Sequence, residues 1–140
     1  MSKIAVVYWS GIGNTEAMAA AVADGAREKG AEADLLTAAQ FGADQVADYD
    51  AIAFGCPAMG AEELEETEFQ PMFDACLPKL AGRKIALFGS YGWGDGEWMR
   101  SWEEVCKQGG VQLAYDSVMA NEAPGDDEIA ACKGMGAALA

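Results

Sequence analysis

Three short stretches carry residue types that could together hold a small, planar, anionic molecule. They are Ser10-Gly11-Ile12-Gly13-Asn14-Thr15, Pro57-Ala58-Met59-Gly60-Ala61-Glu62 and Ser90-Tyr91-Gly92-Trp93-Gly94-Asp95-Gly96. The first offers hydroxyls, an amide side chain and glycine-bearing backbone N–H groups just ahead of a helix-like segment. That combination suits a phosphate, because helix N-termini present unpaired donors and partial positive charge. It contains no Lys or Arg, so neutral donors would hold the anion. It lacks both the G-K-[ST] of a Walker loop and the full G-x-G-x-x-G dinucleotide pattern. Taken alone it is equally an ordinary capping turn. The third stretch sets Tyr91 and Trp93 between glycines, where they suit stacking on a flat ligand; a single Trp there would more often plug the core. In the second, Met59 is a soft apolar wall and Gly60 changes backbone conformation at low cost. Glu62 is a candidate acceptor for a ligand N–H. The acidic run Glu63 to Glu68 reads mainly as a solvated face.

Other chemistries are poorly served. The chain has no histidine, which removes Ser-His and Cys-His nucleophiles. Cys56, Cys76, Cys106 and Cys132 form no C-x-x-C pair, so no zinc or iron–sulfur site is expected, and reduced thiols filling core space are. Nine Lys and Arg against 23 Asp and Glu give a net charge of −14. Nucleic acid is thereby disfavoured, since its binding depends on cations that neutralise phosphates. Basic protein partners are favoured by long-range attraction, although solubility alone also explains an acidic surface. No apolar run approaches the roughly 20 residues of a membrane span. The chain enters a strand almost at once without a signal-peptide layout, so a cytoplasmic location is expected.

The elements that must position the three stretches follow from periodicity. Lys3–Tyr8, Ala33–Thr37, Ala51–Gly55, Lys84–Gly89 and Val111–Ala120 read as strands, the last interrupted near Asp116. A helix begins near Glu16, with Met18, Ala21, Val22, Gly25 and Ala26 on its buried face. Residues 38–50 are a weakly patterned connection. A helix spans about Phe69–Leu77, with Pro71 in its first turn. The next carries Trp98, Met99, Trp102, Val105 and Cys106 on one face and ends at Gly109-Gly110. The last buries Ile129, Cys132, Gly136 and Leu139. Five strands alternating with helices, within 140 residues, predict one α/β domain over 1–140: a doubly wound five-stranded parallel sheet with helices on both faces. Ligands of such sheets bind beyond the carboxyl ends of the strands, and all three unusual stretches follow strands.

A phosphate at one end and a planar ring at the other describe flavin mononucleotide (FMN), and the residues match a known pattern. Tyr8-Trp9-Ser10-Gly11-x-Gly13-Asn14-Thr15-Glu16, Gly55-Cys56-Pro57-Ala58-Met59-Gly60 with Glu62-Glu63-Leu64-Glu65, Leu87 to Gly94, and Asn121-Glu122 with Pro124 resemble the short-chain flavodoxins, most closely the clostridial type. The resemblance covers essentially the whole chain. It implies strand order 2-1-3-4-5 and an FMN-binding, low-potential one-electron carrier that cycles between semiquinone and hydroquinone, with no substrate turnover of its own. It implies that residues 10–15 hold the phosphate, that Pro57, Ala58 and Asn121 lie along the ribityl chain, and that Met59 and Trp93 flank the isoalloxazine. Glu62 would accept from N3–H, the amides of 90–94 would approach the pyrimidine edge, and the Met59–Gly60 peptide would turn its carbonyl towards N5–H. Trp9 and Trp98 would lie nearby. Implied partners are basic-patched redox proteins, such as ferredoxin-dependent oxidoreductases and flavodoxin reductases, met by a monomer. Two departures stand out: Ile12 replaces a usual Thr, removing a phosphate-facing hydroxyl, and Ala61 replaces a residue that is often polar.

Overall fold

The computed structural model describes residues 2–11, 13–59, 63–92 and 94–140. The sheet is built from Lys3–Tyr8 (β1), Glu32–Thr37 (β2), Ala51–Gly55 (β3), Lys84–Tyr91 (β4) and Val118–Asn121 (β5). All neighbouring pairs are parallel, in the order β2-β1-β3-β4-β5. The order and direction are those the flavodoxin resemblance implies. Helices are Asn14–Glu28 (α1), Phe69–Cys76 (α2), Glu97–Gln108 (α3) and Asp126–Leu139 (α4).

The central strands are buried on both faces, and alternate side chains feed two separate cores. Val7, Ile52, Phe54, Ile85 and Leu87 point to one side, against Phe69 and Phe73 of α2 and Trp98 and Trp102 of α3. Ile4, Val6, Ala53, Ala86 and Phe88 point to the other, against the alanine-rich α1 and against α4. Small residues let α1 and α4 approach backbone to backbone. A Cβ on Gly25 would lie 2.0 Å from the Lys133 carbonyl oxygen, and one on Gly136 would lie 1.9 Å from that of Val22.

β1 and β3 occupy the spans their sequence indicates, and the structure adjusts several other expectations. α1 starts at Asn14, not near Glu16, because Gly13 (φ +98°) turns the chain straight into the helix. The weakly patterned connection holds two short 3-10 helices, Ala38–Gln40 and Ala43–Asp48, which bury Ala38 and Val46. β4 runs two residues further than its apolar run, through Ser90 and Tyr91, because these pair with Ala120 and Asn121. The fifth strand is more broken than expected. Leu113 bridges to Ile85 and Ala114 donates to the Ile85 carbonyl, but regular pairing resumes only at Val118. Val105, on the same helix face as the buried Trp98, Trp102 and Cys106, is 41% exposed and borders a groove between α2 and α3.

Candidate functional site

The carboxyl ends of β1, β3, β4 and β5 open on one edge, and sheet-like hydrogen bonds carry their order into the loops. Trp9 N–H donates to Gly55 O (3.0 Å), Cys56 N–H to Phe88 O (3.1 Å), Ala58 N–H to Ser90 O (3.0 Å) and Glu122 N–H to Tyr91 O (2.7 Å). Between these loops lies a mainly apolar cavity of about 520 Å³, within the size range of small-molecule sites. Its walls are Trp9, Gly11, Asn14, Pro57, Ala58, Met59, Ser90, Tyr91, Gly92, Glu122 and Ala123. The three stretches therefore converge, each contributing to one cavity.

At one end stands the N-terminus of α1. Ser10 Oγ accepts from the N–H groups of Gly13 (3.0 Å) and Glu16 (3.3 Å), which fixes the turn and leaves the Ser10 hydroxyl hydrogen for an outside acceptor. Among the described residues, the Asn14 and Thr15 N–H groups have no acceptor, as expected for the first positions of a helix. Thr15 is buried, and its hydroxyl pairs with that of Ser90 at 3.0 Å, so α1 is tied to β4. These donors, free of any Lys or Arg in residues 10–15, fit a phosphate.

The middle stretch is held from below. Met59 and Glu63 exchange backbone hydrogen bonds of 2.8 and 2.9 Å. Glu65 is buried and is not part of a solvated face. Its carboxylate accepts from the N–H groups of Thr67 (2.9 Å), Glu68 (2.8 Å) and Phe69 (2.9 Å) and from the Thr67 hydroxyl. Burial opposes its charge, but the Thr67 hydroxyl and the three amides outweigh that and hold its pKa down at about 2. Its own N–H donates to Cys56 Sγ (3.3 Å), and burial pushes that thiol up to about 12. Glu68 also leaves the solvated face in part, by accepting from the Trp9 indole N–H at 3.1 Å.

Of the residues named from sequence, Gly11, Asn14, Pro57, Ala58, Met59, Ser90, Tyr91 and Gly92 line the cavity. Ser10 opens on a smaller neighbouring depression beside Trp9, Glu16 and Glu68. Gly13 shapes the turn, while Gly94 (φ +84°) belongs to the loop before α3. Asn121 ends β5 and is exposed. Ile12, Gly60, Ala61, Glu62 and Trp93 lie outside the described residues. Trp98 is buried beneath the site, with its indole N–H on Cys56 O (3.2 Å) and its ring 5.4 Å from that of Tyr91. Tyr91 therefore packs downward as well as facing the cavity. Sequence reasoning missed Glu122 and Ala123, which follow β5 in what reads as a plain loop. Glu122 takes φ +60°, uncommon for a residue with a side chain, and such outliers gather at ligand sites.

Comparison with known proteins agrees with this geometry. The family model described as Flavodoxin matches residues 6–134. A flavodoxin of Megasphaera elsdenii is 43% identical over 137 residues, covering 98% of each chain. One of Clostridium beijerinckii is 42% identical over 123 residues, covering 88% of this chain and 89% of its own. The solution structure of the two-electron reduced M. elsdenii protein superposes with a TM-score of 0.89 at 43% identity, covering 97% of both chains. The crystal structure of oxidised Flavodoxin 1 from Bacillus cereus superposes with a TM-score of 0.85 at 26% identity, covering 99% of this chain and 97% of that one. A cavity with phosphate donors at one end and flat apolar walls fits the FMN that this family carries, and the chain belongs to the flavodoxin family of FMN-binding electron carriers.

Proposed function

We propose that the protein works as a low-potential one-electron carrier between soluble redox proteins, without substrate turnover of its own. The observation that carries this reading is the cavity, with α1 amides at one end that have no acceptor among the described residues, and Met59 and Tyr91 along its sides. In this reading residues 10–15 hold the FMN phosphate, Pro57, Ala58 and Asn121 follow the ribityl chain, and Met59, Trp93, Glu62 and the amides of 90–94 address the ring. Gly60 and Ala61 complete the loop on that side. FMN supplies one-electron chemistry and gains negative charge when fully reduced. The protein opposes that charge. A unit charge at 10 Å in water costs about 0.4 kcal/mol before screening; Glu122 lines the cavity, and Glu63 and Glu68 adjoin its walls through Met59 and Trp9. Three such terms lower the potential by about 50 mV before screening, since 59 mV is tenfold for one electron. A cytoplasmic monomer of one domain, paired with basic ferredoxin-dependent oxidoreductases or flavodoxin reductases, fits the −14 charge.

An anaerobic redox titration followed by absorbance tests the reading. Two separate one-electron steps are expected, the second well below that of free FMN and rising with salt. A single two-electron step, or steady NADPH oxidation by the purified protein alone, would instead indicate a quinone- or nitro-reductase type of flavoenzyme. Ile12→Thr restores a hydroxyl to the phosphate loop. At about 1 kcal/mol it should tighten FMN about fivefold; unchanged or looser binding counts against the phosphate role of residues 10–15.

A further inference from the structure

Beneath the cavity, one buried side chain touches the supports of two walls. Trp98 stands in the first turn of α3, is 1% exposed, and is not among the residues that line the cavity. Its indole N–H donates to the Cys56 carbonyl at 3.2 Å, 42 residues away along the chain. That carbonyl lies one residue past the end of β3 and belongs to the Cys56–Pro57 peptide. Proline has no N–H, so this oxygen is the only polar handle by which the peptide can be held. Pro57, Ala58 and Met59 continue from it directly into the cavity wall. The Trp98 ring also packs on Tyr91, which lines the cavity from the end of β4, with centroids 5.4 Å apart. Gly89 leaves room for this junction. A Cβ there would lie 2.2 Å from the Cys56 oxygen and 3.2 Å from the Trp98 ring. Trp102, one turn further along α3, is 2% exposed, yet among the described residues its indole N–H has no partner. The two tryptophans are alike in burial and differ in what their N–H groups hold.

We propose that Trp98 is a positioning residue for the cofactor: through the Cys56 carbonyl it fixes the 57–59 wall, and through Tyr91 the wall from β4, at the spacing the flavin ring needs. The proposal rests on the FMN reading of the cavity and adds to it a residue outside the cavity walls. The physical reason is preorganisation. A wall already held in its binding position need not be ordered by the ligand, and such ordering is otherwise subtracted from affinity. Without the indole N–H, the Cys56 carbonyl is left buried and unpaired, and the segment that starts at Pro57 loses its anchor to α3. An indole that only filled space would matter equally at 98 and at 102.

The experiment compares Trp98→Phe with Trp102→Phe in the FMN-loaded protein. Each replaces a buried indole by a smaller ring, and only the first removes an N–H that has a partner. FMN affinity is read from flavin fluorescence as the loaded protein is diluted, and visible circular dichroism reads the surroundings of the bound ring. Trp98→Phe should weaken FMN about fivefold, the size of one lost hydrogen bond, and alter the visible spectrum. Trp102→Phe should hold affinity within about twofold and keep the spectrum, although both variants lose thermal stability. Equal affinities in the two variants, or an unaltered spectrum in Trp98→Phe, reduces Trp98 to core packing and overturns the proposal. The wild type supplies a second measurement, which needs no variant to fold. As FMN is added to the flavin-free full chain, the NMR signal of the Trp98 indole N–H should shift much more than that of Trp102. A Trp98 signal that stays still overturns the proposal as well. A wild type that takes up no FMN refutes the cofactor reading of the cavity, and Trp98's role with it; normal uptake with either failure above refutes Trp98's role alone.

Discussion

Removing the Glu65 carboxylate should destabilise the protein by about 3 kcal/mol at neutral pH. Four donors converge on it, and they start α2. The Phe69 N–H is buried, so Glu65→Ala leaves it without a partner, at about 1–3 kcal/mol. Thr67 and Glu68 are exposed and regain water, so their losses are smaller, about 0.5 kcal/mol each. The pH dependence supplies a second estimate. The native pKa of about 2 lies below the ordinary 4.5. Above pH 5 the group is ionised in native and unfolded chains alike, and its contribution is fully present. As pH falls through 4.5 towards 2, the unfolded chain takes up a proton that the native chain refuses, so stability is lost with acid. At 1.36 kcal/mol per unit the ceiling is about 3 kcal/mol. Glu65→Gln keeps one acceptor oxygen but turns an NH₂ towards the remaining donors, and about half the loss is expected. The assay is urea unfolding followed by circular dichroism at one fixed FMN concentration, because bound cofactor adds its own stability. The gap between wild type and Glu65→Gln should narrow between pH 7 and pH 3. A gap for Glu65→Ala below about 0.5 kcal/mol at pH 7, or a Gln gap that does not change with pH, would refute the reasoning.

Three further outcomes are expected. Gly136→Ala should destabilise by more than about 3 kcal/mol, because the new methyl meets the Val22 carbonyl of α1, which cannot yield as a side chain does; thermal unfolding measures it. Thr15→Val leaves the buried Ser90 hydroxyl without its partner, so a loss of about 1–2 kcal/mol should appear in urea unfolding. All four thiols are buried; burial first of all pushes Cys56, Cys106 and Cys132 up to about 12 and Cys76 to about 11. At pH 8 a disulfide reagent should therefore react slowly with the folded protein and quickly with all four thiols in denaturant.

The sequence by itself determined the sheet and the cofactor. Continuous apolar strands such as Lys3–Tyr8 and Ala51–Gly55 have one outcome, burial between helices, and their period does not depend on distant partners. The three glycine-bearing stretches, the third also carrying Tyr91 and Trp93, were readable because their composition suits no element interior. Tertiary structure decided what depends on partners far along the chain. Ser90 and Tyr91 are strand residues only because β5 lies alongside, and Thr15 faces Ser90 only because α1 crosses back over the sheet. Glu65 stands in a run of five glutamates among seven residues and cannot be told from its neighbours by type. It is buried because the start of α2 turns four donors onto that one carboxylate, a condition set by geometry and not by residue identity. Val105 follows the periodicity of the buried face, yet lies open at the border of a groove between α2 and α3. Periodicity states which face a side chain takes, and only the packed neighbours decide whether that face is closed.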